Sequence, residues 1–396
     1  MRIGVLTHSA GDDNYGQLLQ CYALQEYLKR KGFSPYLIQH EVDNKPMPDK
    51  ISRLKSLFRL IFGRLSPSRR KAYEELEMIR KQRAINSVRN KARCFQQFKE
   101  DNIEHSRFYD SYVALKNDPP KADVYIVGSD QVWSPPVNSE SSLAWYLQFG
   151  ATETKRIAYA ASFGRELNAY EYHKFRALLD GFDAISVRES SALECCRKAG
   201  VNNATIVLDP TLLVTLDVYK PFIKDTRRES PYLFLYYLNV INKESLAWDQ
   251  IESFILAKDL DIITVSSSGY YPAFDLIPDH ANMLLTIPDW LDAVYHSTYM
   301  VTTSFHGVAF AIIMHRPFVA ILLEGVYSGG NGRIIDLLKS LGLSDRILTR
   351  DNSVGDILET PIDWMVVDRL LEEQRKSSET FLQEALSLDK DSKRIC

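Results

Sequence analysis

The sequence predicts an α/β protein made of two parallel-sheet domains with a cleft between them. Two successive rounds of alternating apolar strand and amphipathic helix run along its 396 residues. A charged segment that contains two prolines, residues 220–231, separates the two rounds. A chain of this length is also typical of two domains rather than one. We therefore predict domains at residues 1–220 and 221–396, with the C-terminal helix packing back on the first domain.

The first round opens with a unit that is typical of a right-handed parallel crossover. Its strand, polar glycine-bearing loop, helix and second strand are predicted at residues 2–7, 8–16, 17–31 and 33–39. Four more buried strands are predicted at residues 124–128, 156–162, 184–187 and 205–208. Most of these strands end in clusters of small polar residues, which matters because parallel sheets bind ligands at the carboxyl ends of their strands.

The second round repeats the same alternation after the charged segment. Its strands are predicted at residues 232–238, 261–265, 299–302 and 317–322. Its helices are predicted at residues 242–258, 289–296, 308–315, 331–341 and 362–386.

Composition narrows the class of protein. The net charge of −3 gives no general attraction to nucleic acid. The five cysteines lack metal-ligand spacing and fit a reducing compartment. No signal-peptide core opens the chain, and no stretch approaches the roughly 20 apolar residues that span a bilayer. These features predict a cytoplasmic protein that does not bind nucleic acid.

One segment departs from this average composition. Residues 50–93, within a helical excursion predicted at 50–100, carry 14 Lys and Arg against three Glu, a net charge of +11. Its apolar residues recur at helical spacing with basic residues on the other side, so it is either a solvated helix or a peripheral contact with the anionic inner face of a membrane.

The first candidate binding loop, residues 9–16, lies between the first strand and its helix. Backbone N–H groups and the helix dipole favour an anion or a polyol there, and Asn14 and Gly16 are its candidate contacts. After the strand at 124–128, Ser129, Asp130 and Gln131 are candidates to bind hydroxyl groups. Trp133, two residues further on, is a candidate to stack on a sugar ring.

Two further clusters carry the residues that suit anion and proton chemistry. Ser186 and Arg188 end the strand at 184–187, and the planar guanidinium of Arg188 matches a carboxylate or a phosphate. Ser304, His306 and Gly307 follow the strand at 299–302, where a histidine at a helix start can contact an anion or transfer a proton.

Together these stretches resemble the polysaccharide pyruvyl transferase family. The likeness rests on motifs that occur in the family's order: Asn14-Tyr-Gly-Gln17, Tyr22-Ala-Leu24, Val127-Gly-Ser-Asp-Gln-Val-Trp133, Ser186-Val-Arg-Glu189, Asp209-Pro-Thr211, Ser304-Phe-His-Gly307, the strand at 317–321, and Arg333-Ile-Ile-Asp-Leu-Leu338 with Leu343 and Arg346. They span nearly the whole chain, and their ordered combination is more specific than any one of them.

The resemblance implies a GT-B-like fold of two Rossmann-like domains, with the acceptor on the N-terminal side and the donor on the C-terminal side. It implies an enzyme that transfers the enolpyruvyl group of phosphoenolpyruvate to two hydroxyls of a sugar, forming a pyruvate ketal. The acceptor would be a capsular or exopolysaccharide glycan or its lipid-linked oligosaccharide precursor. No metal or organic cofactor is expected.

Catalytic roles follow from the same resemblance. Arg188 matches the family arginine that binds the donor, and His306 matches the family histidine that protonates C3 or the phosphate, or binds the phosphate. Asp130 is the candidate base for a sugar hydroxyl. One departure is Ser304, because several relatives have an arginine two residues before the histidine. Arg316 or Arg333 could supply that positive charge.

Two other functions remain open at this stage. The first is a GT-B-like glycosyltransferase that uses a nucleotide sugar, with Glu324 as the only obvious ribose ligand. The second is a non-catalytic member of a polysaccharide assembly complex, which only the missing arginine at Ser304 favours.

Overall fold

The structure is a computed structural model of the 396-residue chain. It describes the following residues: 1–11, 14–40, 90–134, 140–165, 167, 169–224, 230–240, 243–267 and 283–387. The helix and the membrane contact that we predict for the basic segment 50–93 fall almost entirely outside the described residues.

The first sheet contains six parallel strands within these ranges. The strands are β1 (Arg2–Leu6), β2 (Ser34–Leu37), β3 (Val124–Val127), β4 (Lys155–Ala161), β5 (Ala184–Val187) and β6 (Thr205–Ile206), in the spatial order β2-β1-β3-β4-β5-β6. The central strand β3 is buried along its whole length, as expected for a parallel sheet that is covered on both faces.

The second sheet, within the same described ranges, has four parallel strands. They are β7 (Tyr232–Tyr237), β8 (Asp261–Ser266), β9 (Tyr299–Thr302) and β10 (Phe318–Ala320), in the spatial order β10-β9-β7-β8. Strand β7 lies in the middle and is buried throughout. The two parallel sheets confirm the predicted fold class.

Helices connect the strands and cover the sheets. In the described part of the chain they are α1 (Tyr15–Arg30), α2 (Phe95–Asn102), α3 (Tyr112–Asn117), α4 (Ala169–Leu179), α5 (Ser190–Lys198), α6 (Pro210–Leu213), α7 (Trp248–Lys258), α8 (Ile287–His296), α9 (Phe305–Ile313), α10 (Asn331–Ser340), α11 (Val354–Glu359) and α12 (Trp364–Ser387). None of them is long and apolar enough to cross a membrane.

Each sheet has a switch point, where the connections leave in opposite directions. The chain passes from β1 to β2 on one side and then returns to β3 on the other side of β1. In the second sheet it passes from β7 to β8 and returns to β9 on the other side of β7. The loops at the carboxyl ends of these strands therefore frame crevices, which is where open α/β sheets bind ligands.

Helix α1 joins the two sheets through an aromatic contact. The ring of Tyr15, its first residue, stacks on Trp290 of α8 with centroids 5.2 Å apart. The Tyr15 hydroxyl donates a hydrogen bond to the carbonyl oxygen of Leu285 at 2.7 Å. Both side chains belong to one continuous apolar core, so the first turn of α1 is fixed against the second sheet.

The long C-terminal helix α12 contacts the first sheet. The Ser378 hydroxyl accepts a hydrogen bond from the backbone N–H of Leu208 at 2.9 Å. Nε of Arg375 donates to the carbonyl oxygen of Leu212 at 2.8 Å. The domain boundary at residue 220 stays a prediction, although β6 precedes it and β7 follows it.

Element boundaries differ from the predicted ones where local backbone geometry intervenes. Helix α7 begins at Trp248 rather than at residue 242, because Ala247 has a left-handed backbone (φ +51°) that breaks the helix from the turn before it. Helix α9 begins at Phe305 rather than at residue 308, so His306 lies inside the first turn of the helix rather than in the loop that precedes it.

Candidate active site

Polar side chains from five strand ends meet between the two sheets. These residues follow β1, β3, β5, β6 and β9, and the most central of them are His8, Asp130, Arg188, Asp209 and His306. Four of the five come from the first sheet, and His306 comes from the second.

Asp209 is the residue that joins the others. Its Oδ1 accepts hydrogen bonds from the backbone N–H and the hydroxyl of Thr211, at 3.0 and 2.8 Å, because Asp209 caps the short helix α6. Its Oδ2 accepts from Ser129 Oγ at 2.8 Å and from Arg188 Nη1 at 2.7 Å. The same oxygen lies 3.7 Å from Nε2 of His306, so one carboxylate connects both sheets.

Arg188 is buried among three carboxylates. Its side chain is 2% exposed, with Nη1 on Asp209 at 2.7 Å and Nη2 on Asp130 at 3.3 Å. Its Nε lies 3.8 Å from Glu189. On another side, its guanidinium carbon lies 4.6 Å from the centroid of the Phe305 ring, which is a cation–π distance. Arg188 therefore has a fixed position between Asp130 and Asp209.

His306 is buried in the first turn of α9 and approaches α1 closely. A Cβ atom at Gly16 would lie 2.0 Å from Nδ1 of the imidazole, so the ring fits only because residue 16 has no side chain. Its Nε2 is buried and has no hydrogen-bond partner among the described residues. A buried imidazole nitrogen beside a carboxylate can donate a proton to a ligand or accept one from it.

The charges of the cluster shift one another's pKa values. Burial by itself would raise the pKa of Asp130, but the cations around it, led by Arg188, hold that pKa below its ordinary value. Burial likewise opposes ionisation of Asp209, yet His306 and Arg188 hold its pKa far below the ordinary value. For Glu189 burial prevails, and its pKa is raised. Asp130 and Asp209 are therefore anionic at neutral pH.

Of the two arginines named as substitutes for the missing cation, only one reaches this cluster. Nη1 of Arg333, from α10 of the second sheet, lies 3.8 Å from Oδ1 of Asp130. Arg316 instead donates to the carbonyl oxygens of Met314 and Ser297, at 2.8 and 3.2 Å. The structure thus separates two residues that the sequence could not distinguish.

The predicted acceptor residues lie on the first-sheet side of the cluster. Asn14 caps α1 by accepting from the backbone N–H of Gln17. Gly16 follows it and contacts His306. The backbone carbonyl of Gln131 lies 3.2 Å from Nε2 of His8. Their contacts with a ligand stay predictions.

Two predicted ligand contacts need correction because they are part of the core. Trp133 is 1% exposed, its Nε1 donates to the carbonyl oxygen of Trp145 at 3.1 Å, and its ring packs against Phe163. It has no free ring face on which a sugar could stack. Ser186 is fully buried inside the sheet and donates to the carbonyl oxygen of Ala158 at 3.0 Å.

The remaining predicted residues surround the start of α9. Ser304 precedes the helix and is buried, and its side chain does not cap the helix. Gly307 lets α9 lie close to β9, since a Cβ there would come 2.1 Å from Oγ1 of Thr302. Glu324, the candidate ribose ligand, is exposed and lies just before the short helical turn Gly325–Gly330.

Four residues of the cluster were not singled out as site residues from the sequence: His8, Asp209, Glu189 and Phe305. The Asp-Pro-Thr motif was visible and is a recognisable helix start, but its pattern indicates a cap and not a contact with Arg188. Within the described ranges, no three His, Cys, Asp or Glu side chains are grouped so that they could hold a metal ion.

Two Rossmann-like sheets whose strand ends face one cluster define a two-lobed, GT-B-like fold. Solved structures with a similar chain trace include UDP-N-acetylglucosamine 2-epimerase from Rickettsia bellii (TM-score 0.51, 11% identity, 98% of this chain and 96% of that chain). A second match is UDP-GlcNAc 2-epimerase from Methanocaldococcus jannaschii, with a TM-score of 0.46 and 14% identity over 97% of this chain and 99% of that chain. A third is the spinosyn rhamnosyltransferase SpnG, with a TM-score of 0.41 and 9% identity over 98% of this chain and 100% of that chain. At these identities the likeness concerns the fold alone.

The chain belongs to the polysaccharide pyruvyl transferase family. The family's sequence model matches residues 14–324, which is most of the chain and includes Asp130, Arg188, Asp209 and His306 of the cluster. Membership makes the protein a transferase of polysaccharide biosynthesis and confirms the resemblance seen in its motifs. No curated protein matches the sequence at a significant level.

Proposed function

We propose that this chain transfers the pyruvyl group of phosphoenolpyruvate to two hydroxyls of one sugar residue and leaves a cyclic pyruvate ketal. The acceptor is a surface polysaccharide or its lipid-linked precursor. The observation that carries the proposal is the convergence of Arg188 and His306, from different sheets, on the single carboxylate of Asp209.

The reaction needs an acid and an anion site. Protonation of C3 turns the enol carbon C2 into an electrophile, one sugar hydroxyl adds to C2, the C2–O bond to phosphate breaks, and a second hydroxyl of the same sugar closes the ketal. The two hydroxyls lose two protons, of which C3 keeps one and phosphate takes the other. The reaction consumes no oxidant, and the proposal includes no metal or organic cofactor.

The residues of the cluster suit these steps. Nε2 of His306 has no hydrogen-bond partner among the described residues and lies 3.7 Å from Asp209, so it can protonate C3 or the departing phosphate. The guanidinium of Arg188 can bind the anionic groups of the donor, and it would then be shared between the donor and its partners Asp130 and Asp209. Asp130 is charged at neutral pH and can accept the hydrogen of a sugar hydroxyl.

The sugar would lie beside Asn14, Gly16 and Gln131, on the first-sheet side of His306. Placing the acceptor there leaves the second sheet to face the donor. Basic residues at 50–93 would keep the enzyme at the cytoplasmic face of a membrane, where a lipid-linked acceptor is found; this part of the proposal rests on composition alone.

Phosphate release from phosphoenolpyruvate, with and without a sugar acceptor, tests the proposal. We expect acceptor-dependent release by the native chain and a reduction of turnover by at least about tenfold in His306→Ala, because a general acid typically contributes about 10²–10⁴-fold. The melting temperature of the variant should stay within a few degrees of the native value, since the imidazole Nε2 makes no hydrogen bond in the described structure.

His315→Ala is the matched control. His315 also lies beside a carboxylate, with Nε2 2.9 Å from Asp368, but it is 43% exposed and remote from Asp209. The control should turn over normally. Equal activity of His306→Ala and the native chain would remove His306 from the mechanism. Thermal stabilisation by a nucleoside diphosphate but not by phosphoenolpyruvate would favour a sugar transferase instead.

A further inference from the structure

We propose that Arg333 binds the anionic groups of the donor together with Arg188, and that the small cavity that both arginines line receives the donor. This inference rests on the proposed function for the identity of the donor. It assigns to α10 of the second sheet a direct part in substrate binding.

The two arginines approach the same aromatic ring from different sheets. The guanidinium carbon of Arg188 lies 4.6 Å from the centroid of Phe305, and that of Arg333 lies 5.9 Å from the same centroid. Nη groups of both arginines also approach the same oxygen, Oδ1 of Asp130, at 3.3 and 3.8 Å. The two guanidinium groups therefore lie close to each other, next to Phe305 and Asp130.

Arg333 has far fewer partners than Arg188. Its one hydrogen bond to a described residue runs from Nε to the carbonyl oxygen of Gly330 at 3.2 Å, and its distance to Asp130 is too long for a second. A guanidinium offers five N–H donors, so most of those on Arg333 are available to a ligand. Its side chain is 16% exposed, against 2% for Arg188.

The electrostatics of Arg333 also favour an anion. Burial, followed by the like charge of Arg188, lowers the pKa of Arg333 to about 10. The side chain is still charged at neutral pH, but in an environment that penalises that charge. A phosphate or carboxylate bound by the two guanidinium groups would offset the cost of burying the charge of Arg333 and the repulsion between the two arginines. A planar guanidinium can bind such a group through two parallel hydrogen bonds.

A cavity of about 200 Å³ lies beside these side chains. Arg188, Arg333 and Asp209 supply charged groups to its wall, and most of the rest of the wall is apolar, with Phe305 and Leu212 among its residues. The volume lies below the range of about 300–1,000 Å³ that is usual for drug-sized ligands. It therefore suits a compact anion such as phosphoenolpyruvate better than a nucleotide sugar.

Helix α10 is anchored in the position that this role requires. Asp336, one turn after Arg333, accepts a hydrogen bond at 2.6 Å from the backbone N–H of Ser190. Ser190 begins α5 and follows Arg188 by two residues. Helix α10 carries Arg333, and α5 begins two residues after Arg188. The direct contact between these two helices therefore sets the distance between the two arginines.

Calorimetric titration of the purified protein with phosphoenolpyruvate, and separately with inorganic phosphate, tests the proposal. We expect Arg333→Gln to weaken both affinities by at least about tenfold, because it removes a charge-assisted contact. Arg333→Lys should recover part of the loss, since it restores the charge without the planar fork. In turnover assays of Arg333→Gln, the KM for phosphoenolpyruvate should rise more than kcat falls.

Lys339→Gln is the matched control, because it removes the same charge from the exposed end of the same helix and should leave both affinities unchanged. Circular dichroism and melting temperature establish that each variant is folded. Native affinities in Arg333→Gln would overturn the inference even if the native protein forms the ketal. Binding that depends on Arg333 without any ketal formation would instead overturn the proposed function and leave the anion site standing.

Discussion

Gly16 shows how a single residue can control the geometry of the site. It is the second residue of α1 and lies against the imidazole of His306, which belongs to the other sheet. A methyl group at this position would overlap the ring, with a Cβ–Nδ1 distance of 2.0 Å. No contact so short is tolerated, so the ring, the helix or both must move.

We therefore expect Gly16→Ala to reduce kcat/KM by at least about tenfold, because displacement of a catalytic group by about 1 Å can cost about 10²-fold. The helical backbone itself tolerates alanine, which has the higher helix propensity. Steady-state phosphate release measures the effect.

Gly355→Ala provides the comparison at the residue scale. Gly355 is also helical, in α11, but its nearest neighbour would lie 3.5 Å from an added Cβ, which is an ordinary contact. This variant should keep its activity and gain up to about 1 kcal/mol of stability. Normal turnover in Gly16→Ala would mean that the imidazole position in the structure is not the one used in catalysis.

Single residues also show where sequence reasoning reached its limit. The motif Gly-Ser-Asp-Gln-Val-Trp placed Ser129, Asp130 and Trp133 together at a strand end, but only the first two join the cluster. Strand-end patterns locate a loop and do not reveal which of its side chains turns into the core. Asp209 was missed as a site residue for a related reason, since its partners Arg188 and His306 are 21 and 97 positions away in the sequence.

At the scale of elements, α12 supports the strand end that carries Asp209. The hydroxyl of Ser378 accepts from the backbone N–H of Leu208 at 2.9 Å and donates to the carbonyl oxygen of Gln374 at 2.8 Å. Ser378 and Leu208 are both buried. The C-terminal helix thus provides the hydrogen bond that fixes the residue just before Asp209.

Ser378→Ala should lower the free energy of unfolding by about 1–3 kcal/mol, because it leaves a buried N–H without an acceptor. Denaturant unfolding measures this change. Thr380→Ala is the control on the same helix. The Thr380 hydroxyl also donates to a carbonyl oxygen four residues earlier, that of Lys376, but the Thr380 side chain is exposed. If both variants lose the same stability, the Leu208 contact contributes nothing.

Secondary-structure elements were more predictable than side-chain contacts. The buried strands β3 and β7 are apolar along their whole length, and such runs are a local signal. The start of α7 was predicted six residues too early, because the left-handed backbone of Ala247 depends on tertiary packing rather than on its own preference. The helix of the basic segment 50–93 stays a prediction.

At the scale of the whole molecule, two separate sheets contribute to one cluster. The alternating pattern of the sequence was enough to predict two parallel sheets, and the rule for strand ends was enough to predict that polar side chains would gather at this edge. The relative placement of the sheets was not predictable in this way, because it depends on contacts such as Tyr15 on Trp290 that join residues far apart in the chain. That placement is what brings Arg188 and His306 together.

The central claim is that this shared site attaches pyruvate to a sugar as a ketal. Mass spectrometry of an acceptor library incubated with phosphoenolpyruvate tests it most directly. We predict that the native chain will produce a glycan heavier by one pyruvic acid minus one water, and that His306→Ala will produce far less of it at equal protein concentration. A native protein that binds phosphoenolpyruvate yet adds no such mass to any acceptor in the library would contradict the claim.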